Sequence, residues 1–170
     1  MAGFAVRVFP ANIAENYPDD FAPHEIAPYL AEEKARAVHA QLRTMEVLLA
    51  ADSIVVLDGL VLGKPTSKLN AIETLRKLSG KTHLVYTGVC LMSASTKKTF
   101  QAVTEVNFSD LSNAEIEYYV EKYNPMDKAG AYGIQEWLGW CKIKGISGSY
   151  SNVMGLPLEI VYEQLKEMDT

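Results

Sequence analysis

The sequence predicts an α/β domain with a mixed, largely antiparallel twisted sheet flanked by helices. Two observations support this prediction. Long strand-like apolar segments alternate with amphipathic helix-like segments along the 170 residues, which is typical of α/β domains. Consecutive strand-like segments are also joined by short polar turns, as antiparallel neighbours are. With 48% hydrophobic and 22% charged residues, the chain fits a single domain over residues 1–170.

The N-terminal part of the chain is predicted to contribute strands and one helix. Phe4–Phe9 alternates apolar with other residues and predicts a strand that ends at Pro10. A helix is predicted to begin at Pro28, since proline is accepted in a first helical turn. Val47–Leu62 reads as strand throughout, except for Asp58-Gly59, which is a strong signal for a two-residue hairpin turn.

The middle of the chain predicts a capped helix followed by two strands. Ser67 can cap a helix that has Gly80 at its C-terminal end. Thr82–Met92 and Lys97–Phe108 are then predicted as neighbouring strands, because a short polar segment joins two long apolar ones.

The C-terminal part is predicted to hold two helices and a short strand. Ser112 and Glu115 form a capping box for a helix that ends at Tyr123. Cys141–Ile146 is predicted as a short strand, and Pro157 begins a final amphipathic helix. The inward-facing residues of that helix are Val161, Leu165 and Met168.

Composition excludes several classes of function. The net charge of −5 is spread without blocks, which argues against a broad surface for a nucleic-acid polymer. The longest apolar runs are strand-length, so no membrane span is predicted, and the N-terminus lacks the layout of a signal peptide. We therefore expect a cytoplasmic protein in which Cys90 and Cys141 are buried free thiols.

One carboxylate stands out as a candidate for chemistry. Asp52 interrupts a hydrophobic strand, and an ionised carboxylate is expensive to bury unless a metal ion or a lysine compensates it. Lys64, in a Gly-Lys-Pro turn twelve residues later, could supply that charge or contact a phosphate. Two simpler interpretations stay open: Asp52 as a turn or cap residue, and Lys64 as a solvated turn lysine.

Three further residues could complete a nucleotide site. Lys34 and Glu15 could belong to it, although a helix-surface ion pair and a solvated loop acid explain them equally well. Gln135 ends a loop of small residues, and its amide can donate and accept at once, as reading one edge of a base requires. With no Ser-His-Asp or Cys-His arrangement visible, these groups indicate metal-assisted attack on a phosphoanhydride.

Seven segments, in order along nearly the whole chain, carry a resemblance to a known family. They are Glu32-Glu33-Lys34-Ala35, Ala51-Asp52-Ser53, Leu62-Gly63-Lys64-Pro65, the six residues 78–83, Tyr86-Thr87-Gly88-Val89, and the longer stretches 127–135 and 148–157. Together they closely resemble the Maf family of nucleoside triphosphate pyrophosphatases. The resemblance implies a two-lobed, inosine-triphosphatase-like fold and a homodimer.

The resemblance also implies an activity and a set of site residues. It implies cleavage of a nucleoside triphosphate to the monophosphate and pyrophosphate with Mg²⁺ or Mn²⁺. Asp52 matches the catalytic aspartate, which serves as base or metal ligand, and Glu15 matches a metal-site acid. Lys34 and Lys64 match the lysines of the phosphate site. Gln135 agrees with the branch that acts on dTTP and UTP, whereas Ser53 stands where that branch has a threonine and keeps only its hydroxyl.

One departure from the family pattern leaves alternatives open. The family opens with a strand and a Ser-x-Ser-Pro-Arg-Arg loop, and these 170 residues contain no such motif. The expectation is therefore an N-terminally incomplete domain that lacks the loop's arginines, which bind phosphate strongly. The alternatives are a non-catalytic nucleotide-binding or cell-division-linked interaction protein, and an inactive fragment.

Overall fold

A five-stranded sheet forms the centre of the molecule in a computed structural model, which describes residues 3–168. Its strands are β1 (Leu48–Leu57), β2 (Leu60–Leu62), β3 (Thr82–Met92), β4 (Lys97–Phe108) and β5 (Ile143–Ser147). Their order is β2-β1-β3-β4-β5, and each neighbouring pair is antiparallel. The predicted α/β class with a largely antiparallel sheet is confirmed, and parallel pairing is absent between these five strands.

Helices lie before, between and after the strands. They are α1 (Pro23–Val38), α2 (Lys68–Leu78), α3 (Asn113–Tyr123), α4 (Trp137–Lys142), α5 (Tyr150–Val153) and α6 (Leu158–Lys166), with 3₁₀ turns at His39–Gln41 and Ala129–Ala131. Within residues 3–168, none of these helices is both long and apolar enough to cross a bilayer.

Local signals in the sequence correctly placed most element ends. The Ser67 hydroxyl accepts the Asn70 N–H at the start of α2, and Ser112 with Glu115 closes a capping box on α3. Asp58 and Gly59 both have positive φ angles, 51° and 80°. This is the backbone that a type I′ hairpin turn requires, so the predicted hairpin is confirmed.

Two predictions for the N-terminal region were wrong. Phe4–Phe9 forms no strand in the structure, and its backbone has no ladder partner among the described residues. Alternation alone does not create a strand, because a strand also needs its backbone to pair with a neighbour. Helix α1 begins at Pro23 rather than at Pro28, because Glu25 accepts the Ala22 N–H and caps the helix one turn earlier.

The predicted strand over Cys141–Ile146 begins two residues late. Cys141 belongs to α4, which ends at Lys142, and the strand β5 covers Ile143–Ser147. Both cysteines are free, but only Cys90 is buried as predicted, whereas Cys141 is exposed. Cys141 and Lys142 instead continue the short helix that buries Leu138.

The two faces of the sheet are covered differently. Helix α1 covers one face, along β1 and β3. On the opposite face a large core cluster joins β1, β3 and β4 to α2 and α3, and a separate cluster joins β3 to α6, with Val161 and Met168 inward as predicted. An open cleft lined by Ser53, Val55 and Val85 lies on this second face.

A glycine in β3 allows α1 to lie unusually close to the sheet. A Cβ atom on Gly88 would stand 2.2 Å from the carbonyl carbon of Ala27 in α1. Ala27, Ala31 and Ala35 are fully buried at four-residue spacing, so α1 presents a stripe of methyl groups to β3. The close packing of the helix depends on small residues on both sides.

We expect Gly88→Ala to lower the free energy of unfolding by at least about 2 kcal/mol, because the added methyl group meets rigid backbone. The matched control is Gly145→Ala in β5, where an added Cβ has no described atom within 4 Å, and where we expect a change within about 0.5 kcal/mol. Urea denaturation of both variants measures the difference. Equal effects would show that close helix packing at Gly88 does not stabilise the fold.

Candidate active site

Asp52 lies at a point where β1 is open along one edge. Strand β1 pairs with β2 only over Val55–Leu57, so among the described residues the outer edge of β1 before Val55 has no partner strand. Asp52 and Ser53 point to opposite faces because side chains alternate along a strand. The open edge makes both faces accessible from one side of the molecule.

Lys34 reaches Asp52 from helix α1. Ile26 and Leu30 pack with Ile54 and Val56 in one apolar cluster, and Lys34 follows Leu30 by four residues on the same helix face. The Lys34 ammonium donates to Asp52, whose side chain is only 8% exposed. An ion pair therefore continues the row of apolar contacts between α1 and β1.

Glu15 connects both predicted lysines to the same cluster. Lys34 Nζ donates to Glu15 Oε1 at 2.9 Å. Lys64, from the loop after β2, donates to both carboxylate oxygens of Glu15 at 2.6 Å. Residues from a loop, a helix, a strand and a turn thus meet in one cluster of two acids and two lysines.

Burial and pairing act in opposite directions on the two acids. Burial raises the pKa of the Asp52 carboxyl, because the Lys34 ammonium offsets only part of the desolvation. Glu15 is less buried, and although burial alone would raise its pKa, its contacts with Lys64 and Lys34 lower it. Burial likewise opposes protonation of Lys34, but its hydrogen bonds to Asp52 and Glu15 raise its pKa. Burial thus shifts the pKa of Asp52 upward, whereas pairing with the two lysines shifts the pKa of Glu15 downward.

Glu15 and Asp52 provide two of the oxygen ligands that a hard divalent cation needs. Within residues 3–168, no group of three or more His, Cys, Asp or Glu side chains is arranged to hold a metal. Glu15 and Asp52 nevertheless both contact Lys34 Nζ. Two oxygen ligands suit Mg²⁺, which is usually bound by one or two carboxylates together with water and substrate phosphates.

Two clefts lie beside the charged cluster. One, of about 480 Å³, has Glu15 and Lys34 in its wall together with Leu49–Ala51 of β1. The other, of about 320 Å³, has Asp52, Ser53, Lys64 and Gln135 in its wall. The remaining residues of the second cleft are Ala51, Val55, Val85, Asp127–Ala129, Tyr132, Gly133 and Val153–Gly155.

Gln135 is positioned by hydrogen bonds beneath its loop. The fully buried Tyr119 on α3 accepts the Gly133 N–H at 3.0 Å and donates to Glu136. Lys128 lies 3.3 Å from the Glu136 carboxylate. These contacts hold the loop on both sides of Gln135, whose own side chain stays exposed at the cleft.

The structure brings four of the six predicted site residues into direct contact: Glu15, Lys34, Asp52 and Lys64. Ser53 and Gln135 line the adjoining cleft. Sequence reasoning missed Asp127 and Lys128 as cleft residues, although they directly precede the small-residue loop. It also missed Thr87, which is in β3 opposite Ser53 and which only the strand register could identify.

Comparison with known proteins finds one matching family and several relatives of this chain. The family model of the Maf-like proteins matches residues 1–168. A protein of Bacteroides thetaiotaomicron is 51% identical over 165 residues, which are 97% of this chain and 85% of that protein. A Phocaeicola vulgatus protein gives the same values. A Flavobacterium johnsoniae protein is 44% identical over 162 residues, covering 95% of this chain and 82% of that protein. All three relatives are named dTTP/UTP pyrophosphatase.

A buried histidine supports the wall of the second cleft. His83 Nε2 lies 2.8 Å from the hydroxyl of Tyr132, and both rings pack against Phe108. His83 Nδ1 has no hydrogen-bond partner among the described residues. Burial lowers the pKa of His83 from 6.5 to about 4, so the folded protein keeps this ring neutral.

We expect this histidine to make the protein less stable in acid. Between pH 6.5 and 4 the unfolded chain binds a proton at His83 that the folded chain does not. The free energy of unfolding therefore decreases by up to about 3 kcal/mol as the pH is lowered from 6.5 to 4. Urea denaturation at several pH values measures the slope. His83→Gln should remove this part of the pH dependence, and an unchanged slope in the variant would contradict the assignment.

Proposed function

This chain belongs to the Maf family, and we propose that it is a nucleoside triphosphate pyrophosphatase that hydrolyses dTTP and UTP to the monophosphate and pyrophosphate. The observation that carries the proposal is the Lys34 ammonium shared by Asp52 and Glu15 beside a cleft lined by Gln135. One region of the molecule thus offers a buried base, two cations and an amide for base recognition. The names of the relatives support the choice of substrate.

The two lysines bind the triphosphate and stabilise the leaving group. Both ammonium groups contact carboxylates in the structure, so the phosphates compete with Glu15 and Asp52 for them. Negative charge increases on the β-phosphate oxygens as the bond between the α-phosphorus and the bridging oxygen breaks. Lys34 and Lys64 stabilise that charge more strongly in a shielded cleft than in water.

Asp52 acts on the attacking water or holds the metal. As a base, its carboxylate accepts the proton that water loses on attacking the α-phosphorus. Its raised pKa makes it a stronger base than an exposed aspartate. Glu15 and Asp52 would hold Mg²⁺ or Mn²⁺, and the bound cation would offset the charge of the phosphates.

Gln135 recognises the pyrimidine. Its amide nitrogen donates to a carbonyl oxygen of thymine or uracil, and its amide oxygen accepts the neighbouring imide N–H. Cytosine presents the opposite pattern on this edge, with an amino donor and an unprotonated ring nitrogen. Two small residues of the cleft wall before Gln135, Ala129 and Gly133, leave room for the ring in the cleft.

Pyrophosphate release is the direct test of the activity. The full chain is incubated with dTTP, UTP, CTP and 7-methyl-GTP, each with Mg²⁺ or Mn²⁺, and we expect release from dTTP and UTP. Asp52→Asn should lower turnover by at least about a hundredfold, because it removes the base or metal ligand. Asp58→Asn is the control, since the Asp58 side chain is 70% exposed in the β1–β2 turn.

Two outcomes would contradict this proposal. If no triphosphate releases pyrophosphate while nucleotide binding persists, the chain is a nucleotide-binding protein without this activity. If Asp52→Asn retains full turnover with an unchanged circular dichroism spectrum, Asp52 takes no part in the reaction.

We expect Gln135→Glu to change the base preference. A carboxylate accepts hydrogen bonds but donates none, so it repels the thymine carbonyl oxygen and suits the cytosine amino group. The ratio of kcat/KM for dTTP to that for dCTP should fall at least about tenfold. Gln101→Glu on exposed β4 is the matched control, and an equal shift there would assign the effect to overall charge.

A further inference from the structure

A row of hydroxyl groups leads from the cleft into the protein interior. Ser53 Oγ, in the cleft wall, lies 2.8 Å from Thr87 Oγ1 across the β1–β3 pair. Thr87 Oγ1 in turn lies 3.1 Å from the backbone carbonyl oxygen of Asn152. Thr87 and Asn152 are both fully buried, so water does not compete for these contacts.

Asn152 is held firmly in this position. Its amide nitrogen donates to the Val85 carbonyl oxygen at 3.1 Å and to Thr104 Oγ1 at 3.0 Å. Its carbonyl oxygen also accepts the Gly155 N–H at 2.9 Å. Hydrogen bonds from the Asn152 side chain to β3 and β4 therefore hold the Asn152 carbonyl oxygen in place opposite Thr87.

The directions of these hydrogen bonds follow from counting protons. A carbonyl oxygen can only accept, and a hydroxyl group has one hydrogen. The Thr87 hydrogen must lie toward the Asn152 oxygen, since two bare oxygen atoms 3.1 Å apart would repel each other. The hydrogen between Ser53 and Thr87 must then come from Ser53, because Thr87 has no second one.

We infer that Thr87 and Asn152 make Ser53 a hydrogen-bond acceptor toward the nucleotide, and that Ser53 selects a substrate group that donates a hydrogen. This inference rests on the proposed function for the identity of the nucleotide. Thymidine and uridine nucleotides offer two such groups, the imide N–H of the base and a hydroxyl of the sugar. Ser53 contacts the nucleotide, whereas Thr87 is a positioning residue that acts through Ser53.

The imide is the source that would contribute to base selectivity, with its one hydrogen shared between Ser53 Oγ and the Gln135 amide oxygen in a three-centre bond. Cytosine has an unprotonated ring nitrogen at that place, which would face the Ser53 lone pairs and be rejected. A sugar hydroxyl would contribute affinity without distinguishing the bases. Gly155, where an added Cβ would stand 3.7 Å from Ser53 Oγ, leaves space for either group.

Binding of the product dTMP tests the inference without requiring turnover. Ser53→Ala should raise the Kd of dTMP, measured by calorimetry, about fivefold to tenfold through loss of one hydrogen bond. Thr87→Val, which cannot accept the Ser53 hydrogen, should raise it by a similar factor. Thr87→Ser keeps the hydroxyl and should stay within about twofold of the unsubstituted chain. Thr74→Val, a buried threonine of α2 outside the cleft wall, is the control for the threonine-to-valine change itself.

Two analogues identify the donor. N3-methyl-dTMP lacks the imide hydrogen, and 3′-deoxythymidine monophosphate lacks the sugar hydroxyl. The effect of Ser53→Ala should vanish with one analogue and persist with the other, and the analogue with which it vanishes names the donor. An effect of equal size with both analogues would overturn the inference, as would a Thr87→Ser variant as weak as Thr87→Val.

The design separates this inference from the proposed function. If the unsubstituted chain binds dTMP but releases no pyrophosphate from dTTP, the proposed activity fails and the Ser53 comparison still stands. If the chain binds no dTMP, the inference is overturned. If Thr87→Val does not fold by near-ultraviolet circular dichroism, Ser53→Ala with the two analogues decides alone.

Discussion

The packing of α1 along β1 is the constraint on which the site depends. Four residues of helix rise about 6 Å and two residues of strand rise about 6.6 Å, so helix positions at four-residue spacing stay level with strand positions at two-residue spacing. Ile26 and Leu30 pack with Val56 and Ile54. The next positions along the same lines are Lys34 and Asp52, whose ion pair lies where a further apolar contact would otherwise be.

This arrangement gives the buried carboxylate its chemical character. Close packing of α1 at Gly88 excludes water from Asp52 and raises its pKa, while Lys34 keeps the buried charge compensated. Glu15 lies in a more exposed loop, and although burial would raise its pKa, its contacts with Lys64 and Lys34 lower it. Two carboxylates in one cluster are thus distinguished by burial, which is a general way for a site to separate a base from a charge-balancing acid.

The cleft is organised from the opposite face of the sheet by polar contacts. Tyr119 fixes the loop of Gln135 through Gly133 and Glu136. Asn152 attaches the short helix α5 to β3 and β4 and orients Thr87 and Ser53. This network sets the direction of the Thr87 and Ser53 hydroxyl groups, because the Asn152 carbonyl oxygen can only accept and each hydroxyl has one hydrogen to donate.

The sequence by itself determined the elements whose signals are local. These include the Asp58-Gly59 turn, the caps at Ser67 and Ser112, the extents of β3 and β4, and the family, which its motifs identify. Tertiary structure alone decided the rest, because it depends on partners distant in the chain. The segment Phe4–Phe9 alternates like a strand but pairs with no strand among the described residues. The motifs grouped Glu15, Lys34, Asp52 and Lys64 in one site, but only the fold decides which lysine contacts which acid. Those contacts and the role of Thr87 follow from helix packing and strand register, which no local pattern encodes.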